Sequence, residues 1–199
     1  MTRPNPDSSA PLVDPTNWVD RHGDVLYRYA LARVAEPAVA EDLVQETFLA
    51  ALRGAQGFAG QAAEQSWLVG ILKHKIVDFF RKQAREKPLQ KTSDNGNHGT
   101  TDFDSSGWWQ DQPASWGDNP GAALEQQEFW IVFRGCLGKM PRRLTAAFTL
   151  REMEGLSTDE ISRDLNVTPG NLGVLLHRAR LSLRRCLETH WFRTKTDEV

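Results

Sequence analysis

The chain has 199 residues, with 24 Lys and Arg against 26 Asp and Glu for a formal net charge of −2. That length admits one domain or two small ones, and the near-neutral balance gives no overall basic footprint for a nucleic-acid partner. Two cysteines, Cys136 and Cys186, lie far apart and in no metal-ligand spacing, which suits a reducing cytoplasm and argues against a disulfide framework. No apolar run approaches the roughly 20 residues of a membrane span, and the N-terminus lacks the apolar core of a signal peptide. A soluble, cytoplasmic protein without membrane insertion is expected.

Residues 1–17 are polar and proline-rich and read as a disordered tail. Residues 18–84 read as a helical domain. Leu26, Tyr29, Ala30 and Val34 share a face at helical spacing, as do Val44, Phe48, Ala51 and Leu52. Pro37 between the two runs marks a helix break. Gly54, Gly57 and Gly60 loosen the chain before Trp67 opens a third helix, continued by Ile71, Leu72, Ile76, Phe79 and Phe80. These aromatics are most simply core. From 85 to 119 the composition shifts to Ser, Gly, Asn, Asp, Gln and Pro, the signature of a flexible linker. Trp108, Trp109 and Trp116 stand out there; they either dock onto a partner, the reading preferred, or pack locally. A second helical domain spans 120–192, with Leu124, Phe129 and Phe133 leading to Met140-Pro141, and Phe148 and Met153 continuing its core. The expected fold is all-α, two small helical domains on a tether.

The stretch Glu154–Arg185 carries the most information. Ser157 stands three residues before Glu160, the spacing of a capping box, so a helix can start at Thr158. Ile161 and Leu165 make one apolar stripe, and Asn166-Val167 breaks the pattern. Thr168 is a good N-cap and Pro169 suits the first helical position, where a missing amide hydrogen costs nothing. Leu172, Leu175, Leu176, Ala179 and Leu183 then recur at helical spacing among Arg178, Arg180, Arg184 and Arg185. Helix, turn and longer basic helix make a helix-turn-helix whose second helix fits a DNA major groove. The alternative is an amphipathic hairpin with a solvated basic face.

Charge is distributed unevenly. Trp67–Lys91 holds seven Lys and Arg against two acids, Leu175–Lys195 six against one, and Glu86–Ala123 six acids against two lysines. Basic patches on separate modules of a neutral whole are what phosphate contact requires, although single charge runs are usually solvated helix faces. No glycine loop cradles a phosphate, no His/Asp/Ser arrangement is present, and lone histidines such as His22 and His98 have no partner pattern. Cys186 and His190, four apart on a helix, supply two ligands at most, short of a structural zinc site. No enzyme, cofactor or metal is expected; the work reads as recognition.

Two segments resemble conserved regions of bacterial RNA polymerase sigma factors, particularly the short extracytoplasmic-function group. Met140-Pro141, Glu154-Gly155-Leu156-Ser157, Glu160-Ile161, His177-Arg178-Ala179-Arg180 and Leu183-Arg184 are similar to the fourth region. His22–Arg53, above all Glu41-Asp42-Leu43-Val44-Gln45-Glu46-Thr47-Phe48, resembles the second, continued by Trp67-Leu68, Ile71 and Asp78. The resemblance implies an alternative sigma factor that binds core RNA polymerase, reads −10 and −35 promoter elements and is held inactive by an anti-sigma factor. It implies core-polymerase binding by Asp42, Gln45 and Glu46, outward on a helix whose Leu43, Val44 and Phe48 pack inward. The −10 element would be met by Phe58, Trp67, Lys73, His74, Lys75, Arg81 and Lys82, an aromatic pocket beside a basic track. Trp67 would serve as wedge or core, and the loop 60–65 and Arg85 adjoin the track. The −35 element would be met by Thr168, Asn171, His177, Arg178, Arg180 and Arg184. Two departures matter. Lys73-His74 replaces a common Arg-Asn pair, and Gly173 and Leu175 replace basic residues of the recognition helix. That leaves Asn171 as the base-edge donor at its start, with Leu172, Leu175 and Leu176 as an alternative apolar surface for an anti-sigma helix. The competing readings are a stand-alone two-domain helix-turn-helix regulator and a decoy interaction protein.

Overall fold

The computed structural model describes residues 15–58, 62–86 and 125–192. Most of the expected tail and linker, including Trp108, Trp109 and Trp116, lies outside the described residues. Among the described residues the secondary structure is helical throughout, with no strand. The chain divides into two compact units, one of Met1–Leu31 with Glu36–Ile76 and one of Ala32–Ala35 with Val77–Val199.

The first unit holds most of α1 (Trp18–Val34), all of α2 (Pro37–Gly54) and the first half of α3 (Glu64–Glu86), the last residues of α1 and the second half of α3 grouping with the second unit. Proline starts α2 because its fixed φ suits a helix entrance and the amide it lacks would have no intrahelical acceptor. Leu26 and Ala30 of α1, Ala40, Leu43, Val44, Thr47 and Ala51 of α2, and Leu68, Leu72 and Ile76 of α3 are buried. Buried Thr47 fits an apolar helix face because its hydroxyl donates back to the Leu43 carbonyl at 2.7 Å. The sequence pattern is corrected at two places. α3 begins three residues before Trp67, at Glu64. Leu52, assigned to the core face of α2, is 51% exposed.

The second unit contains α4 (Gln127–Lys139), α5 (Arg142–Phe148), α6 (Thr158–Asp164) and α7 (Pro169–Leu187), with π-helical turns at Thr149–Met153 and Glu188–Phe192. Its core joins Phe129, Phe133, Cys136, Leu137 and Met140 to Ala179, Leu183, Leu187 and Trp191. Phe129 meets Trp191 edge to face at 5.5 Å between ring centroids, an arrangement the ring quadrupoles favour. Phe148 and Met153 pack against this cluster half-buried.

The helix-turn-helix forms as its residues dictate. Gly155 takes φ +73, left-handed backbone that a side chain resists. The turn is closed by the Leu156 amide on the Leu150 carbonyl at 3.0 Å and by Arg151 Nη1 on the Leu156 carbonyl at 2.9 Å. The capping box is complete: the Glu160 amide donates to Ser157 Oγ, and the Ser157 amide donates to Glu160 Oε2 at 2.8 Å. Asn166 turns the chain between the helices at φ 51, a conformation asparagine tolerates better than most residues. Thr168 then caps α7 by accepting from the Asn171 amide at 3.2 Å.

One expectation is overturned here. Cys136 on α4 and Cys186 on α7 are joined by a disulfide, with Cα atoms 5.7 Å apart. They are separated by 50 residues in sequence, but α4 and α7 bury their apolar faces on one another and so bring the two positions together.

Candidate functional site

On α2 the residues alternate between core and solvent at helical spacing. Leu43, Val44, Thr47 and Ala51 are buried, and Asp42, Gln45, Glu46, Leu49 and Leu52 are exposed. Steps of three, four and seven place the exposed set on one stripe. The stripe is acidic at its start and apolar further on, because Leu49 is 54% exposed and Leu52 follows it. Those leucines were missed as candidates. Their spacing from Asp42 and Gln45 was readable, but leucine alone signals core. Glu46 is already engaged within the unit, accepting from Lys75 Nζ of α3 at 3.1 Å. Phe48 does turn inward: its ring stacks on Trp18 at 6.5 Å.

Trp67 is part of an aromatic group, 5.9 Å from Trp18 and 4.7 Å from Phe58 between centroids. Trp67 is half-buried in this group. Glu64 anchors this group. Its carboxylate accepts from Trp18 Nε1 at 2.6 Å and from His22 Nε2 at 2.8 Å, and pairs with Arg21 at 3.1 Å. Burial by itself would raise the Glu64 carboxyl, but the His22 and Trp18 hydrogen bonds and the Arg21 charge outweigh it and hold it below its ordinary range. No motif flagged Glu64, since the hub exists only once the starts of α1 and α3 meet.

Along α3, Lys73, His74 and Lys82 are exposed, and Lys75 and Arg81 are half-buried. The track is not uniformly basic. Asp78 sits within it and pairs with Arg81 Nη1 at 2.7 Å, and Lys75 faces Glu46. The loop 60–65 is only partly described.

On α7, Thr168, Asn171, Gly173, Val174 and Arg180 are exposed and His177, Arg178 and Arg184 half-buried. The Thr168 oxygen is occupied as the N-cap. Arg180 folds onto Glu152 at 2.5 Å and Arg184 onto Glu188 at 2.8 Å, so both enter any phosphate contact by exchanging one acidic partner for another. A Cβ built on Gly173 meets nothing within 4 Å, so packing does not require glycine there. The proposed apolar surface of Leu172, Leu175 and Leu176 is corrected: all three are buried in the domain, Leu172 at 1% exposure. The Leu175 side chain faces the core.

The sigma-70 region 2 family model matches residues 18–86 and the sigma-70 region 4 model residues 131–183. A probable RNA polymerase sigma factor of Haemophilus influenzae is 35% identical over 161 residues, covering 80% of this chain and 82% of that protein. The extracytoplasmic-function sigma-E factor of Salmonella typhimurium is 31% identical over 140 residues, covering 70% of this chain and 69% of that one. The chain belongs to the extracytoplasmic-function sigma factors. This sigma factor therefore serves transcription initiation, its α1–α3 unit carrying region 2 and its helix-turn-helix region 4. The sigma factor RpoE of Bartonella quintana, in complex with the anti-sigma factor NepR, is 21% identical with a TM-score of 0.39 over 86% of this chain and 95% of that one. That likeness is too slight to bear on the assignment. Among the described residues no helix is long and apolar enough to cross a membrane.

Proposed function

We propose that this sigma factor docks on core RNA polymerase through the α2 stripe of Asp42, Gln45, Glu46, Leu49 and Leu52. The observation that carries this reading is the separation of the two faces of α2. Five exposed residues at helical spacing present two acids, an amide and two leucines, and the residues between them are buried or half-buried. Exposed leucines supply apolar area to a partner helix, and the acids set register and encounter rate against its basic residues. The basic residues of α3 (Lys73, His74, Lys75, Arg81 and Lys82) track the −10 strand beside Phe58 and Trp67. On α7, Asn171 reads a base edge in the −35 duplex, with Thr168, His177, Arg178, Arg180 and Arg184 along the phosphates. It acts by recognition and not as an enzyme, in the cytoplasm, where an anti-sigma factor masks one or both units.

The test is a pull-down with core polymerase paired with run-off transcription. Asp42→Lys with Glu46→Lys should weaken polymerase binding at least tenfold while the helical circular dichroism is unchanged. Wild-type affinity for the double variant would refute the docking role. Promoter binding at full strength without core polymerase would instead favour a stand-alone regulator.

A further inference from the structure

Cys136 and Cys186 take no part in the surfaces assigned above, yet they join the two helices that carry the core of region 4. We propose that this pair is a reversible thiol–disulfide site, through which the redox state of the surrounding thiol pool sets how firmly α4 holds the recognition helix α7. The two sulfurs differ in access. Cys136 is 2% exposed beneath Phe129, Phe133 and Trp191, whereas Cys186 is half-buried on the last turn of α7. Cys186 is thus the sulfur at which exchange begins. Exposed His190 lies beside it, with Nδ1 3.8 Å from Cys186 Sγ and 2.9 Å from the Cys186 carbonyl oxygen. The last turn of a helix disfavours a thiolate through its dipole, and Glu188 adds to that. Arg184 and Arg185 on the same turn, and the His190 ring nitrogen 3.8 Å from the sulfur, work in the opposite direction and favour the attacking form.

The exchange balances with a low-molecular-weight disulfide as oxidant. The Cys186 thiolate attacks one sulfur of oxidised glutathione, forming a mixed disulfide and releasing one glutathione thiolate, which takes up a proton. The Cys136 thiolate attacks Cys186 Sγ, forming the protein disulfide and releasing the second glutathione. Two protein thiols are oxidised and one glutathione disulfide is reduced to two thiols; excess glutathione drives the reverse. In the dithiol state apolar packing by Phe129, Leu137, Leu183, Leu187 and Trp191 still holds α4 against α7. A link across 50 residues removes much chain entropy from the unfolded state.

The experiment uses the full chain equilibrated with glutathione mixtures of graded ratio, with thiols counted by alkylation and mass spectrometry and unfolding followed by circular dichroism. The pair should pass from disulfide to dithiol within the series, with a fall in midpoint of roughly 10 °C. Cys136→Ser with Cys186→Ser should unfold at the lower temperature in every mixture. His190→Ala should slow the approach to equilibrium severalfold at pH 7 while both end states still form. A pair that stays oxidised in the most reducing mixture would overturn the proposal, since the bond would then be a fixed structural one. So would a pair that never oxidises, a midpoint indifferent to redox state, or a reduced chain that purifies with a stoichiometric zinc ion on Cys136, Cys186 and His190, whose ligand atoms lie within 4.8 Å of one another.

Discussion

Glu64 shows how much one side chain can organise. It is the first residue of α3, where the helix dipole favours a negative charge, and it collects Trp18, Arg21 and His22 of α1. Its folded carboxyl titrates below the ordinary 4.5. The stabilisation is therefore complete above that value and is lost as pH falls through the lower folded one. Glu64→Gln should cost about 2 kcal/mol at pH 7, the scale of hydrogen bonds to a charged acceptor. The gap to wild type should narrow as pH falls from 4.5 and close at an acid pH below the lowered folded value, where the carboxylate is protonated. Urea unfolding at both pH values measures it, and a gap that stays constant would show that packing, and not charge, accounts for the loss.

At the scale of the element, the cap is what lets the seven-residue helix α6 stand in front of α7. Ser157→Ala removes the acceptor of the Glu160 amide and should lower the unfolding midpoint of the region 4 unit by roughly 4–8 °C. Scanning calorimetry would show it, and an unchanged midpoint would mean that Gly155 and the Leu156 bonds position α6 without the cap. On α7 the arginines lie beside acids of their own unit, and Asn171 is the exposed amide near the helix start. Arg178→Ala and Arg180→Ala should each weaken all −35 duplexes alike and reduce the salt slope by about 1, whereas Asn171→Ala should relax preference at one base pair. Binding isotherms on a duplex panel at two salt concentrations distinguish the two. Discrimination lost on Arg178→Ala would assign base reading to that arginine instead.

For the whole molecule the net charge of −2 sets a limit on what the chain does alone. Its basic residues are confined to patches on α3 and α7, and without an overall basic excess their phosphate attraction is too weak for tight duplex binding by the chain alone. Promoter affinity should rise at least tenfold when core polymerase is present, and the affinity of the chain alone should fall steeply between 50 and 200 mM salt. Fluorescence anisotropy with and without core enzyme measures this; equal affinities would mean that the chain is a self-sufficient DNA binder.

Local signals determined the helical identity of this protein. Capping box, N-cap, N1 proline and three-and-four apolar spacing act within a few residues, so Ser157, Thr168, Pro37 and the Leu26–Ala30 stripe could be read directly, while the family was legible as a resemblance in runs such as Glu41–Phe48 and His177–Arg180. The orientation of Asp42, Gln45 and Glu46 was equally legible, because a helix fixes which neighbours share a face. Tertiary structure decided the rest. Whether Leu52 is covered or exposed, whether Leu175 fills the interior, and how far Trp67 is buried depend on which neighbour covers each side chain. The Glu64 hub and the Cys136–Cys186 link required helices distant in sequence to meet, and burial, unlike periodicity, is a property of the assembled core.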